Sequence, residues 1–492
     1  MWLNISSLAP GYGKGQLEEH MLTTIVIIVT LIFCTLFFIV SWRVKDSAGS
    51  SFAMYAIGGG ALPLYLVLFS DIATIMGAGN FIGHATSGFT KGVSHIPFII
   101  GEQGSKIVFA LLFAGFAGKF TYITVSDLMY DLLHRDKVSQ AITGLLTGAI
   151  MLAWLGGQAM GLGYIFQQFT GINPIPVIIF FNAVFIIYTY MGGILSVVWT
   201  DFIQGIFVLV FGFVFYYFAL APVHWNIGEL GTQLTAAAGP EFWDFSSVPI
   251  GTIITNFVTG CFGVLAAQVY WQRCFASKDA KTARNAMLIS GVLVIIMVTL
   301  TAFVGMTAKA LNPDLDPALA MPWLMMNYVP LWAVAVVYAL VLAAAMSSAD
   351  SMLNACAVIV VNDVIRPFKA ETPDHLLVTW TKRATIIIGI FAGGLALYAD
   401  SIIGLFSKAY TMAGGGVVPV LIVGLLWKTS RDPFHAGKKN SRLTPWGVRT
   451  AVVSGALVSL LFSIIWGILI ATALAVIVSL LGNNTKTSDA VV

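Results

Sequence analysis

Apolar runs long enough to cross a lipid bilayer dominate this sequence and limit the folds that it can adopt. A helix rises about 1.5 Å per residue, so about 20 apolar residues cross a hydrocarbon core of about 30 Å. Because backbone polar groups must be satisfied inside lipid, such runs fold as helices. They occupy roughly residues 21–42, 62–88, 95–118, 140–168, 174–191, 195–222, 250–272, 283–308, 330–361, 378–398, 401–427, 446–465 and 467–482. The pattern predicts an all-α polytopic membrane protein with about thirteen transmembrane helices.

The composition excludes a soluble globular protein. Of the 492 residues, 58% are hydrophobic and only 10% are charged, and the mean hydropathy is +0.90. Arg43 and Lys45, rather than a small-residue cleavage site, follow the first run, which predicts an uncleaved helix and not a signal peptide. The last two runs are separated only by Trp466-Gly467, so residues 446–482 form either a transmembrane hairpin, which we favour, or one long helix.

The distribution of Lys and Arg orients the chain. With the N-terminus outside, nineteen of these residues fall in cytoplasmic loops, and only Lys14, Lys91 and Lys309 face outward. Cytoplasmic loops are enriched in Lys and Arg, so the asymmetry predicts this orientation in a plasma membrane, the inner membrane of a bacterium being favoured. Residues 1–20 are then an extracytoplasmic segment and residues 483–492 a C-terminal tail. No stretch outside the membrane is long enough for a further catalytic domain.

A polar cluster interrupts the ninth run. The letters SSADS, residues 347–351, lie inside the otherwise apolar stretch 329–361. A carboxylate at the centre of a bilayer costs about 2.5 to 3.5 kcal/mol on insertion scales, so an intramembrane acid beside serines indicates an ion or solute site. Helical spacing places four of these small residues on one stripe. They are Ala344, Ser347, Ser348 and Ser351.

Glycine clusters interrupt two other runs. Gly77 and Gly79 lie within the second run, ahead of Asn80, and Gly260 and Gly263 lie within the seventh. Small residues permit a break in a helix, which frees backbone carbonyls to bind a ligand. Two broken helices five runs apart indicate inverted repeats around a central site. The alternative is close helix packing, for which glycine is also used.

Three motifs together resemble one transporter family. They are GGILSVVWTDFIQG, which contains Asp201, QRCFASKDAKTARNA, which begins at Gln272 and is expected in a cytoplasmic loop, and SSADSMLNA. Taken alone, Asp201 is equally consistent with an acid that complements a helix N-terminus near the interface. In this order and spacing, over about residues 55–427, the motifs resemble the sodium/solute symporter family, which includes sugar, proline, pantothenate and carboxylate carriers.

The resemblance implies a fold. Members of that family have the LeuT-type inverted repeat of five plus five helices, in which core helices one and six are broken. Here the transport core is expected to span residues 62–427, preceded by one extra helix at residues 21–42.

The resemblance also implies a sodium site between the break of the first core helix and the eighth core helix. By position, its ligands are the carbonyl oxygens of Ala73, Met76 and Ala344 and the hydroxyls of Ser347 and Ser348. Neutral oxygens at short range suit a hard cation and keep its binding reversible. The alternative for the serines is a hydrogen bond to the carbonyl one turn earlier in their own helix.

Some members of the family bind a second sodium ion. The matching residues here are Asp201, Asp350 and Ser351, and Asp350 replaces the hydroxyl of the family pattern. Two neighbouring carboxylates either hold a cation more tightly or share a proton, because like charges oppose each other's ionisation. The sequence therefore leaves open whether a sodium ion or a proton binds here.

The solute site that the resemblance implies is formed by Asn80, Glu102, Ser105 and Lys408. Lys408 stands where sugar carriers have a neutral amide, and a fixed cation favours a carboxylate as the solute. If Glu102 pairs with Lys408 or with Lys106, the charges only neutralise one another. If they stay apart, they suit a zwitterion such as an amino acid.

These observations predict a secondary active symporter in which the sodium gradient drives import of a small polar organic solute, carboxylate or amino-acid-like, by alternating access. Sodium is the coupling ion and no other cofactor is expected; the partners are the solute and the lipid bilayer, without nucleic acid, and the oligomeric state is left open. The alternatives are a proton-coupled carrier of the same fold, with Asp201 and Asp350 as the proton site, and a non-transporting solute sensor. An intramembrane enzyme is disfavoured because the seven histidines lack catalytic spacing.

Overall fold

The computed structural model describes residues 16–116, 122–399, 401–428 and 441–488. In these ranges the backbone is helical, and its only β-type pairings are isolated bridges. The first half of the chain forms α1 (Gln16–Ala48), α2 (Phe52–Ile57), α3 (Leu64–Ile75), α4 (His84–Lys91), α5 (Ile96–Leu112), α6 (Val125–Met129), α7 (Lys137–Thr170), α8 (Pro174–Ala219) and α9 (Ile227–Ala238). The second half forms α10 (Ile250–Ala266), α11 (Gln268–Ala276), α12 (Ala280–Leu311), α13 (Ala320–Tyr328), α14 (Leu331–Ile359), α15 (Asp374–Tyr398), α16 (Ile402–Leu426), α17 (Pro445–Leu461) and α18 (Ile464–Ser488).

Parts of the sequence interpretation fall on residues outside these ranges. They are most of the outer segment 1–20, four of the residues assigned to the cytoplasm, and the end of the tail 483–492. The four residues are Lys119, Arg431, Lys438 and Lys439. Helix α1 contains the whole of the predicted first span, residues 21–42.

The described helices make the chain a multi-pass membrane protein. Eight of them are long and apolar enough to cross a membrane, and the number is ten if each of two bent pairs counts as one span. Helix α8 alone has 46 residues, about 69 Å, which is about twice the thickness of a bilayer core. It is divided at Gly193, whose φ of 52° and ψ of −157° are not helical. The count of thirteen crossings stays a prediction.

The first predicted helix break is confirmed. Helix α3 ends at Ile75, the chain bends at Met76 and Gly77, and a π-helical turn over Gly79–Gly83 leads into α4. The segments on the two sides of the break are inclined by 49°. Glycine is required at position 77 because a Cβ atom there would collide with the side chains of Ser348 and Gln158. The break therefore lies directly against helix α14.

The second break does not lie at the predicted Gly260–Gly263. Helix α10 passes through both glycines and ends at Ala266; Ala267 is extended, and α11 continues after a bend of 43°. The glycines instead permit close packing, because a Cβ atom on Gly260 would collide with the backbone of α5 and one on Gly263 with the ring of Tyr410. Close packing, the alternative explanation of these glycines, is correct.

The C-terminal helices also meet elsewhere than predicted. Helix α17 ends at Leu461 and α18 begins at Ile464, whereas Trp466-Gly467 lies inside the first turn of α18. The two helices pack side by side, and Gly467 allows their close approach because a Cβ atom there would collide with the Ser459 hydroxyl. Residues 445–488 are thus two helices and not one.

Helix α14 lies at the centre of the bundle. Its residues 337–359 are all buried, and it packs against α3, α7, α8 and α15. Large apolar side chains such as Leu31, Ile203 and Ile390 are exposed on the outer helices, as expected of surfaces that face lipid. The polar cluster of α14 is therefore enclosed by other helices and not exposed to lipid.

Candidate ion and solute site

The end of α3 presents backbone carbonyls to α14. The last backbone hydrogen bond of this helix joins the Met76 amide to the Ile72 carbonyl at 3.0 Å. The Ser348 hydroxyl lies 2.6 Å from the carbonyl oxygen of Thr74 and 2.9 Å from that of Ala344. Ser348 therefore makes the bond within its own helix that the alternative reading expected, and it also reaches across to the broken helix.

Two carbonyls at this break remain available to a ligand. A helix end leaves its last four carbonyls without partners in the helix. Of those at the end of α3, Thr74 accepts from Ser348 and Ile75 accepts from the Asn80 side chain, whereas Ala73 and Met76 accept no hydrogen bond from the described residues. These are the two carbonyls that the family resemblance assigns to sodium, and with the Ser348 hydroxyl they form a set of neutral oxygens that fits a hard cation.

Ser347 faces a different group from Ser348. Its hydroxyl donates a hydrogen bond to Oδ1 of Asp201, on α8. The other carboxylate oxygen accepts from Ser70 at 2.6 Å and from Thr74 at 3.3 Å. The resemblance assigns both serines to one sodium ion. In the structure, only Ser348 contacts the broken helix end, whereas Ser347 contacts Asp201, a residue of the predicted second ion site.

The guanidinium of Arg273 occupies the predicted second ion site. Its guanidinium lies 3.4 Å from Oδ2 of Asp201 and 2.9 Å from the Ser351 hydroxyl, and it also contacts the Thr74 hydroxyl. The sequence predicts Arg273 in a cytoplasmic loop, whereas the structure places it on the buried helix α11, where it is 2% exposed. The predicted span 250–272 ends one residue before Arg273, and a span longer by one helical turn includes this arginine.

Asp350 lies beside this cluster without joining its hydrogen bonds. The residue is 1% exposed, and its Oδ1 atom has no hydrogen-bond partner among the described residues. The carboxylate of Asp201, in contrast, accepts hydrogen bonds on both oxygens. The structure therefore gives the two acids different surroundings: Asp201 is paired with Arg273, and Oδ1 of the buried Asp350 has no hydrogen-bond partner among the described residues.

A small polar cavity lies next to the same break. It leaves about 10 Å³ for the centre of a water molecule, which is room for about one water. Solute sites in proteins are usually several hundred Å³, so this conformation is closed around the cavity. Its lining combines polar and aromatic side chains. They are Thr74, Ile75, Gly79, Asn80, Glu102, Gln103, Trp154, Gln158 and Phe406.

Glu102 is the charged residue of that lining. It is 2% exposed, and its carboxylate accepts hydrogen bonds from Tyr410 Oη at 2.8 Å and from Gln103 Nε2 at 3.0 Å. The Nε2 atom of His84 lies 3.3 Å from its Oε2 atom. Sequence reasoning missed His84, Gln103 and Gln158, although an isolated amide inside an apolar run, such as Gln158, is a detectable signal.

Two of the four predicted solute residues do not reach the cavity. Ser105 is buried, but its hydroxyl donates to the Glu102 carbonyl within α5 at 2.8 Å. Lys408 lies on an exposed face of α16. Lys106 pairs with Asp71 at 2.8 Å, so neither proposed lysine partner of Glu102 is its partner. The sequence does not reveal which face of α16 is buried, and the structure places Lys408 on the exposed face.

The architecture identifies the class of protein. Two bent helix pairs, the first of which lines a buried polar cavity, are typical of the LeuT-type transporter fold, and solved structures agree. A Na⁺-coupled sialic acid symporter, in a substrate-bound outward-open state, matches with a TM-score of 0.75 and 20% identity over 93% of this chain and 98% of that chain. At this identity the likeness establishes the fold alone.

Sequence comparison then identifies the family. The profile of the sodium:solute symporter family matches residues 55–432. The sodium/glucose cotransporter of Vibrio parahaemolyticus is 26% identical over 453 residues, 83% of this chain and 82% of that protein. The high-affinity choline transporter 1 of Drosophila melanogaster is 24% identical over 421 residues, 82% of this chain and 67% of that protein. The chain belongs to the sodium:solute symporter family and is a membrane transporter, not an enzyme.

Proposed function

We propose that this protein uses the sodium gradient to import a small polar organic solute by alternating access, in a plasma membrane with its N-terminus outside. The observation that carries the proposal is the set of oxygens at the break of α3. The carbonyls of Ala73 and Met76 accept no hydrogen bond from the described residues, and the Ser348 hydroxyl contacts the carbonyl of Thr74 at the same helix end. The Ala344 carbonyl, 2.9 Å from the Ser348 hydroxyl, completes the proposed set, whereas the Ser347 hydroxyl is bonded to Asp201 and the Ser351 hydroxyl to Arg273.

The position of these oxygens relates ion binding to solute binding. Thr74 and Ile75 belong to the broken helix end and also line the cavity. A sodium ion between α3 and α14 would hold the broken helix in place and so shape the cavity for the solute. By linkage, bound solute must raise sodium affinity by the same factor by which sodium raises solute affinity.

The lining of the cavity favours a solute with hydrogen-bond donors. Glu102 accepts hydrogen bonds, and the amides of Asn80, Gln103 and Gln158 both donate and accept them. The preference for a carboxylate rested on Lys408, which is exposed and lies outside the cavity. We therefore favour solutes with hydroxyl or amine groups, amino acids included, over simple carboxylates.

A thermal-stability screen of the purified protein tests both the class of solute and the coupling ion. The panel is glucose, choline, sialic acid, proline and pantothenate, each measured in sodium chloride and in potassium chloride. A ligand at 100 times its dissociation constant stabilises the folded protein by about 2.7 kcal/mol. We expect one compound to stabilise the protein in sodium far more than in potassium. Equal stabilisation in both salts would contradict sodium coupling and favour a proton-coupled carrier.

A further inference from the structure

Two histidines form a buried pair between the outer end of the broken helix and the solute cavity. His84 is the first residue of α4 and is fully buried; His95 ends the 3₁₀ turn before α5 and is 1% exposed. Nδ1 of His84 lies 2.9 Å from Nε2 of His95, and the ring centroids are 5.1 Å apart. Neither ring belongs to the sodium oxygens or lines the cavity.

The pair connects to the cavity through Glu102. Nε2 of His84 lies 3.3 Å from Oε2 of this carboxylate, which is an ion-pair distance, although the N–H direction is not aligned for a hydrogen bond. At the other end, His95 stacks on Phe98 and lies four residues after Lys91, which is exposed. Glu102, His84 and His95 therefore form a continuous chain of titratable groups from the cavity to within one turn of the outer surface.

The chain has the chemistry of a proton site. A hydrogen bond between two imidazoles needs one N–H and one lone pair, so the pair holds its hydrogen bond both with and without one extra proton. Histidine is the side chain whose ordinary pKa, about 6.5, lies between pH 5 and 8. No Lys or Arg among the described residues forms an ion pair with Glu102, so a proton on the chain is the positive charge closest to this buried carboxylate.

The other charged groups near the chain have their own partners or lie beyond it. On α5, Lys106 is paired with Asp71 of α3. On α12, Lys309 donates to the Pro313 carbonyl. On α16, Tyr410 donates to Glu102, and α10 approaches with the neutral Asn256, which donates to the Ser94 carbonyl. Lys91, on the outer side, opposes a positive charge on the pair, whereas Glu102, on the inner side, favours one.

We propose that Glu102, His84 and His95 bind one exchangeable proton, taken from the outer side, which neutralises the carboxylate in the solute cavity; this rests on the cavity's proposed role in solute binding. The proton enters at Nδ1 of His95, and His95 passes its Nε2 proton to Nδ1 of His84. His84 passes its Nε2 proton to Oε2 of Glu102, which leaves both rings neutral in the other tautomer. The site binds a proton and no metal, and it is separate from Asp201 and Asp350.

Histidine-selective ¹⁵N NMR of the full-length protein in lipid nanodiscs tests the proposal, with the proton itself as the probe. Ring nitrogen shifts report protonation and tautomer, and the loss of signals in His84→Gln and His95→Gln assigns the two rings. We expect both rings to titrate together between pH 5 and 8, as coupled sites do. In Glu102→Gln the shared transition should move to lower pH by about one unit, about a tenfold loss of proton affinity, because a negative charge has been removed.

The matched control is His224→Gln. His224 lies on the outer surface, 3.0 Å from Glu229, and its loss should remove one signal and leave the shared transition unchanged. Fixed neutral tautomers of His84 and His95 from pH 5 to 8 in the wild-type protein would overturn the proposal, as would an unchanged transition in Glu102→Gln. The measurement needs neither solute nor sodium. A negative result would therefore contradict the proton site and leave sodium-coupled transport unaffected. Absence of sodium coupling would likewise leave the titration of the two histidines unaffected.

Discussion

The Ser348 hydroxyl lies 2.6 Å from the carbonyl oxygen of Thr74, and this contact joins α14 to the point where α3 unwinds. Both groups are buried, so the bond forms away from water. A hydroxyl that donates its proton to a carbonyl keeps its lone pairs for a cation. The contact therefore places a neutral oxygen ligand at the helix end whose Ala73 and Met76 carbonyls accept no hydrogen bond from the described residues.

Gly77→Ala should weaken sodium binding. A Cβ atom at this position would collide with the Ser348 hydroxyl and with the Gln158 amide, so the helix break must shift away from α14. The measurement is the rise in thermal midpoint with sodium concentration. Gly104→Ala is the control, since a Cβ atom there meets nothing within 4 Å and helix propensity should stabilise α5 by up to about 1 kcal/mol. Sodium dependence that is equal in both variants would contradict the geometry of the break.

Arg273→Met should destabilise the protein strongly. The substitution leaves Asp201 buried without its positive partner, and the loss of one member of a buried ion pair costs about 3–5 kcal/mol. The thermal midpoint in detergent measures the effect. The double variant Asp201→Asn, Arg273→Met should recover part of the loss, because no unpaired charge remains.

An exposed ion pair provides the comparison for Arg273. Arg135 lies 3.3 Å from Asp131, and its side chain is 41% exposed. Exposed pairs contribute between about 0 and 1 kcal/mol, so Arg135→Met should change the midpoint little. If Arg273→Met were as mild as Arg135→Met, the buried pair would not have the role assigned to it.

Lys408→Gln should leave solute binding unchanged, whereas Glu102→Gln should weaken it. Lys408 is exposed on α16, while Glu102 lines the cavity. Loss of one charged hydrogen-bond partner of a solute costs about 1.5–3 kcal/mol, or about 10- to 100-fold in affinity. Titration of the stabilising compound from the thermal screen measures both variants. A large loss of solute affinity in Lys408→Gln would show that Lys408 binds the solute, as the sequence predicts.

The Asp136–Arg449 pair should make stability depend on pH in the acid range. Asp136 caps α7: partial burial disfavours its ionised form, but hydrogen bonds from Arg449 and Ser139 outweigh this and lower the pKa of Asp136 below its ordinary value. A carboxyl whose pKa is lower in the folded state stabilises the fold above its unfolded pKa, about 3.9, and loses that effect as the pH falls through the folded value.

Asp136→Asn tests this dependence. The variant should have a lower thermal midpoint than the wild type at pH 7, because the bidentate contact with Arg449, at 2.7 and 2.8 Å, loses its charge. The difference between the two proteins should narrow as the pH falls below about 4. A difference that stays constant from pH 7 to pH 3 would show that the ionised carboxylate is not responsible.

The membrane class and the fold could be predicted from the sequence because apolar length and motif order are strong signals. The break at Gly77 could be predicted too, since small residues there precede a polar one in the middle of an apolar run. The break at Ala267 was missed, although small residues precede the polar Gln268 there too, because Gly260 and Gly263 lie in the same run and indicate a break at their own position. Glycine at a break and glycine at a packing contact look alike in sequence.

The candidate site was predicted only in part, because the sequence does not determine the direction in which each side chain points. The sequence placed Ser347 and Ser348 on one stripe, but neighbouring residues on a helix differ by about 100° in direction, and the structure turns one serine to Asp201 and the other to Thr74. The sequence predicts a loop position for Arg273 because a cation at the end of an apolar run usually lies in the loop that follows the transmembrane helix. Only the tertiary fold brings it to Asp201.

Direct binding of ²²Na⁺ to the purified protein tests the central claim, that sodium binds between the break of α3 and helix α14. The wild-type protein should bind the isotope saturably, and Ser348→Ala should weaken binding by at least about tenfold, which is about 1.4 kcal/mol. Ser290→Ala is the matched control: Ser290 is also buried, but among the described residues its hydroxyl bonds only to the Met287 carbonyl of its own helix. Binding by Ser348→Ala that equals binding by Ser290→Ala and the wild type would contradict the account.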